Sequence, residues 1–231
     1  FLYSNVGTLT LGAVVEQASG RSWDANVRER LLSPLGMTRT STREDEYVVA
    51  DHLARCWLCN APPGAKVGAA ALRAGEANAA APHGLQLDGP LAPGSDRRVE
   101  VWPWRYEPSI APAGAINSTA NDLARWLRMH LNDGSLDGRR VLSARQVRAM
   151  HAFQVVRPAA DAADRATSEY DRRYSLSGYG LGWAKYLYRG IEVSAHGGGQ
   201  VGFGATMWLV PSRRLGVVVL QNLDYRHAPA Y

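Results

Sequence analysis

Lysine is nearly missing from this chain of 231 residues: Lys66 and Lys185 are the only two among 26 basic side chains. The rest are arginines, scattered or in pairs such as Arg97-Arg98, Arg139-Arg140 and Arg213-Arg214. A net charge of +5 spread this way forms no run or stripe that would track a nucleic-acid backbone, which argues against a nucleic-acid partner. Long apolar runs are also lacking, and none approaches the ~18 residues that suggest a membrane-spanning helix. Cysteine occurs twice, Cys56 and Cys59 in CWLC. A zinc site needs four ligands, yet no second C-x-x-C follows and only His52 and His83 lie nearby, so two free thiols and no metal are expected.

What is present is an ordinary globular composition, 46% hydrophobic and 20% charged, in a chain long enough to bury a full core. Val6, Leu9, Ala13, Val14 and Ala18 recur at helical spacing, with Ser4 or Asn5 able to cap the helix and Gly20 able to close it. Ser22 reads as the cap of a second helix carrying Val27, Leu31 and Leu32 and stopped by Pro34. Residues 47–112 are rich in Ala, Gly and Pro with poor periodicity, and read as a long irregular excursion bordering a substrate. A third helix, capped by Ser118 or Thr119, carries Leu123, Trp126, Leu127 and Leu131 and ends near Gly134. Ser143 with Gln146 forms a capping-box signature for a fourth, and Pro158 to Ser177 reads as a polar loop.

The last third reads as strands. YGLGWAKYLYRG and IEVSAHGGG join around Arg189-Gly190, and ATMWLVP and LGVVVLQN join through SRR, giving two hairpins. Helices first and antiparallel strands afterwards imply an α+β layer architecture, with 1–157 mostly helix and loop and 178–222 the sheet.

Two stretches carry candidate chemistry. In Tyr3-Ser4-Asn5, Tyr3 and Asn5 are two apart, so an extended entry to the helix projects both to one side. A tyrosine hydroxyl serves as a proton acceptor only when its pKa falls well below ~10, and an asparagine amide can hold a partner or a substrate. Taken alone, the triplet is better explained by helix capping and packing than by chemistry. In HGGGQVGFG, His196 ends a strand and Gly197, Gly198 and Gly199 remove every side chain that would block the backbone. Such glycines mark a close backbone approach, and an N–H exposed there would stabilise a developing oxyanion by ~3–4 kcal/mol. A glycine-rich bulge and turn with a solvated histidine accounts for the same pattern.

Taken in order, FLYSNVGTLTLGAVVEQASGRSW, LLSPLGMTRT, PAGAINSTANDLARWLRMHLNDG, YGLGW and HGGGQVGFGATMWLVPSRRLGVVVLQN resemble the beta-lactamase-related serine hydrolases. That family includes class C beta-lactamases, D-alanyl-D-alanine carboxypeptidases, D-aminopeptidases and related esterases. The likeness covers nearly the whole chain except about 51–80, a stretch that departs from the family pattern. It implies a beta-lactamase/transpeptidase-like fold, an antiparallel sheet packed with helices plus a helical subdomain.

By the same resemblance, Tyr3 and Asn5 fall on a Tyr-x-Asn motif that shares proton traffic with a lysine. His196, Gly197 and Gly198 fall on a Lys-Thr-Gly strand, and Gly199 falls on the position whose N–H helps form the oxyanion hole. The family nucleophile is the serine of a Ser-x-x-Lys motif, and no serine here has a lysine three residues on. The resemblance therefore implies a domain truncated at the front and at the back, inactive on its own. The complete domain is expected to hydrolyse a small ester, amide or D-amino-acid peptide through an acyl-serine without a cofactor. The alternative is a non-catalytic, penicillin-recognising or partner-binding relative. Because histidine titrates near 6.5, replacing the family's lysine by histidine leaves a partial charge at neutral pH, which favours esterase or D-amino-acid peptidase chemistry over beta-lactam hydrolysis. Members of this family are commonly exported, so a periplasmic or secreted location is expected.

Overall fold

The computed structural model describes residues 3–43, 83–87, 97–101, 108–156, 174–200 and 202–222. The CWLC pair and the departing segment 51–80 lie outside them. Helix α1 (Asn5–Ser19) begins at Ser4, whose extended backbone lets its hydroxyl accept from the Val6 N–H. It ends at Gly20, which adopts the left-handed conformation (φ 67°) that a residue with a Cβ disfavours. The expected apolar stripe is not its buried face. Val6 and Val14 are exposed, and Gly12 is the buried residue. A Cβ on Gly12 would stand 2.3 Å from Pro112 Cγ, so the missing side chain lets α1 lie directly on α4 (Ala111–Gly114).

Ser22 caps α2 (Trp23–Val27) as expected, but Pro34 does not stop the chain. The helical path widens into a π-helical segment, Arg28–Leu32, continues through α3 (Ser33–Leu35) and turns only at Gly36 (φ 63°). Proline has no N–H to contribute, and the five-residue spacing, with Ser33 N–H on Arg28 O, absorbs that loss. Helix α5 (Ala120–Leu131) is capped by Thr119 on the Asp122 N–H, and α6 (Ala144–His151) carries the full capping box of Ser143 and Gln146.

The expected irregular excursion contains one regular pair, β1 (His83–Leu87) and β2 (Arg97–Val101), antiparallel to each other. A small hairpin, β3 (Ser135–Leu136) and β4 (Arg139–Arg140), follows α5. The main sheet has six antiparallel strands: β5 (Val155–Val156), β6 (Tyr174–Tyr179), β7 (Ala184–Tyr188), β8 (Ile191–Gln200), β9 (Phe203–Val210) and β10 (Leu215–Gln221). Their spatial order is β10-β9-β8-β7-β6-β5, a meander in which each strand pairs with its sequence neighbours. Both expected hairpin turns form, at Arg189-Gly190 (φ 49° and 78°) and through the single 3-10 turn Pro211–Arg213. Two boundaries differ. Tyr174 to Ser177 are strand rather than loop, and YGLGW straddles the end of β6 and a turn rather than opening a strand.

Helix α5 joins the layers. Its Met129 packs with Val27, Leu32, Leu35, Met37 and Leu136, while its Leu127 packs with Trp183 and Leu209 of the sheet, and Trp126 touches both groups. The arrangement is α+β, and no helix among the described residues is long and apolar enough to cross a membrane.

A chain of polar groups is buried between sheet and helices. Lys185, fully buried, forms an ion pair with Glu192 and donates to Ser194 Oγ at 2.8 Å. Ser194 Oγ lies 2.9 Å from His151 Nδ1, and His151 Nε2 lies 3.0 Å from His130 Nδ1. The lysine amine can only donate, so Ser194 Oγ accepts from it, while the Ser194–His151 and His151–His130 contacts take their direction from the tautomer of each ring. His130 Nε2 is buried without a hydrogen-bond partner among the described residues. The rings of Trp126 and Trp183 stand edge-on to His130 at 4.6 and 5.2 Å between centroids.

Burial, then the charge of His151, pushes His130 down to about 3. Burial, then Lys185, pushes His151 down to about 4, with Glu192 opposing. Both folded values lie below the unfolded 6.5, so the unfolded chain binds more protons in that window, and stability present above pH 6.5 is lost as pH falls toward 4 and 3. Thermal melts followed by circular dichroism are expected to lose at least about 5 °C between pH 7.5 and 4.5, and His151→Gln is expected to flatten that slope.

Candidate active site

The site is set by strand lengths. The β7 ladder ends at Ala184 opposite Ala195, while β8 continues through His196, Gly197, Gly198, Gly199 and Gln200. Among the described residues no strand pairs with the β7-side edge of that extension. Gln200 and Phe203 close the β8–β9 hairpin around two residues, a geometry in which the closing pair exchanges both ladder hydrogen bonds. Counting back by alternation, Gly198 and His196 direct N–H and C=O to β9, whereas Gly199 and Gly197 direct theirs to the open edge.

Two contacts bring the start of the chain to this edge. Gly12 seats α1 on Pro112 of α4, and the Gly114 carbonyl at the end of α4 accepts from Gln200 Nε2 at 3.2 Å. Tyr3, immediately before the Ser4 cap, thereby reaches β8. Its ring stands 6.1 Å from His196 and 5.9 Å from Tyr179, and Tyr179 and His196 rings are 6.2 Å apart, closing a triangle of three rings. Tyr3 is half exposed, so the triangle opens to solvent.

The Tyr179 hydroxyl lies 2.9 Å from His196 Nε2, and His196 Nδ1 lies 2.7 Å from the Gly197 carbonyl. Burial, followed by the neighbouring Tyr3 and Tyr186 phenols, pushes Tyr179 up to about 12, so it remains a protonated phenol through the neutral range. No group of three or more His, Cys, Asp or Glu among the described residues could hold a metal ion.

Of the sequence-derived candidates, the structure brings Tyr3 and His196 together and places Gly197, Gly198 and Gly199 in sequence along the same edge, with Gly199 about 10 Å along the strand from His196. Asn5 opens α1 and is exposed, and it takes no part in the contacts among Tyr3, Tyr179 and His196. Sequence reasoning misses Tyr179 because YGLGW reads as strand. The signal that could have found it is the Gly180–Gly182 spacing immediately after, a turn that leaves the preceding side chain at a strand end.

The antiparallel sheet packed with helices is the beta-lactamase/transpeptidase-like fold. The beta-lactamase family model matches residues 1–230, and the chain belongs to that family. It is 30% identical over 95% of its length to penicillin-binding protein 4 of Amycolatopsis lactamdurans, covering 46% of that protein. It is 24% identical over 97% of its length to the unguisins hydrolase of Aspergillus violaceofuscus, covering 35% of it. Among solved structures, the octameric penicillin-binding protein homologue from Pyrococcus abyssi aligns with a TM-score of 0.64 at 20% identity, over 99% of this chain and 40% of that one. The chain thus spans between a third and a half of the length of these curated relatives.

Two glycines separate packing from ligand access. Nothing lies within 4 Å of where a Cβ on Gly198 would stand, so Gly198→Ala is expected to change stability by no more than about 0.5 kcal/mol. Gly12→Ala drives a methyl into Pro112 and is expected to cost about 1–3 kcal/mol. Parallel urea titrations of the two variants check the contrast.

Proposed function

We propose that the complete domain is a serine hydrolase acting on an ester or amide, a small ester or D-amino-acid peptide in preference to a beta-lactam, through an acyl-serine intermediate. The observation that carries this reading is the meeting of Tyr3 with His196 on the open edge of β8, the edge toward which the register also directs the Gly199 N–H. A serine hydroxyl delivered between them would pass its proton to the Tyr3 oxygen as the Tyr3 hydroxyl gives its own to the lysine of the Ser-x-x-Lys segment, and an N–H would receive the oxyanion. Attack of that oxygen on the substrate carbonyl forms the new C–O bond. Collapse of the tetrahedral species breaks the bond to the leaving group, which takes up the proton, and water then releases the acyl group. Gly197 and Gly198 line the edge along which the substrate lies.

The nucleophile is assigned to a Ser-x-x-Lys segment outside these residues, because neither Lys66 nor Lys185 follows a serine by three and Lys185 is buried against Glu192. Membership of the beta-lactamase family and a hydrolase among the relatives support the reaction class.

In the longer polypeptide that contains this chain, a fluorophosphonate is expected to label one serine, and Tyr3→Phe is expected to lower kcat by about 10²–10⁴ with little change in melting temperature. The 231-residue chain alone is expected to resist labelling, and a labelled serine within it would overturn the placement of the nucleophile. A longer polypeptide that carries no reactive serine yet binds a fluorescent penicillin would favour the non-catalytic relative. A short p-nitrophenyl ester is expected to turn over faster than a chromogenic cephalosporin, and the opposite order would reverse the substrate ranking.

A further inference from the structure

His196 touches two groups whose hydrogen-bonding capacities fix its own. The Gly197 carbonyl can only accept, so the proton on the imidazole must be at Nδ1, donated across 2.7 Å. A neutral imidazole then has Nε2 as an acceptor, and the group 2.9 Å from it is the Tyr179 hydroxyl, which has a proton to give. No carboxylate among the described residues touches His196 in a hydrogen bond or ion pair, and its two ring contacts are the Tyr179 hydroxyl and the Gly197 carbonyl. Lys185 of β7 and Glu192 of β8 are paired with each other, and the buried imidazoles of His130 and His151 belong to that separate chain.

We propose that Tyr179 is the positioning residue of this site: its hydroxyl donates to His196 Nε2 while His196 Nδ1–H donates to the Gly197 carbonyl, so that an imidazole with both nitrogens engaged meets an uncharged portion of the substrate rather than a carboxylate. Both ring nitrogens are committed, and the ring offers no N–H to an anion. The substrate half of this inference rests on the hydrolase reading above, whereas the hydrogen-bond half does not. The protonated state of Tyr179 through the neutral range keeps it a donor at working pH.

The direct test is long-range proton–nitrogen correlation NMR on this chain with 15N-labelled histidine, using His196→Gln to assign the signals. The expected pattern for His196 is a protonated Nδ1 and an unprotonated, hydrogen-bonded Nε2. Tyr179→Phe should move the Nε2 resonance and leave Nδ1 protonated. A wild-type ring protonated at Nε2, or averaging between tautomers, overturns the proposal without recourse to any variant. So does a well-folded Tyr179→Phe protein with an unchanged His196 spectrum.

The second test uses the longer polypeptide with two p-nitrophenyl esters that differ only in ending on a free carboxylate or its methyl amide. The neutral ester is expected to show at least about tenfold higher kcat/KM, the size of one hydrogen bond to a charged group, and Tyr179→Phe is expected to shrink that ratio. Preference for the carboxylate overturns the substrate half. Absence of hydrolysis with the expected NMR pattern would remove the hydrolase reading and leave Tyr179 as the residue that holds His196.

Discussion

The ladder between β7 and β8 stops at Ala184 opposite Ala195, and the candidate site depends on that stop. Had β7 continued, its backbone would occupy the amides of Gly197 and Gly199. Because it turns away, five residues of β8 keep one side paired to β9 and the other open. A strand anchored along one edge is rigid, and its outward N–H groups are aimed before any ligand arrives, which is the condition under which such donors stabilise a transition state. The turn that leads into β7 also leaves Tyr179 at the end of β6, where its hydroxyl reaches across to His196.

Support for that edge comes from both layers. Toward the helices, Lys185, Ser194, His151 and His130 form a hydrogen-bonded chain that begins on β7 and β8 and is flanked by Trp126 and Trp183. Such a chain opposes a change of strand register, because a slip would leave several more buried groups unpartnered at once. Toward the start of the chain, Gly12 on Pro112 and Gln200 on Gly114 hold α1, α4 and β8 in one sequence of contacts, so the position of Tyr3 follows from two close approaches that glycine allows.

Much of this was legible in the residues. Ser4, Thr119 and the Ser143–Gln146 pair announced helix starts because capping is a local interaction, and Arg189-Gly190 announced a hairpin because only a few residues tolerate positive φ in succession. The family resemblance pointed to Tyr3 and to the strand from His196 to Gly199. Three features were not readable. The path through Pro34 depends on a π-helical segment that no periodicity announces. The burial of Gly12 in place of Val6 or Val14 depends on where Pro112 lies, a hundred residues away. Tyr179 depends on the relative lengths of β6, β7 and β8, which sequence pattern sets only to within a few residues.

The outer strand β10 carries a further consequence. Leu215, Val217 and Val219 alternate outward and are exposed, while Gly216 and Val218 turn toward Leu127 and the rest of α5. At the end of the sheet order, β10 pairs with one strand, β9, among the described residues. An edge strand that carries neither proline nor charge and exposes Leu215, Val217 and Val219 is a template onto which another extended segment can zip. In concentrated preparations of this chain, copies would first adhere here, two strands away from β8 and the rings around His196, so turbidity would set in while the candidate site was still intact.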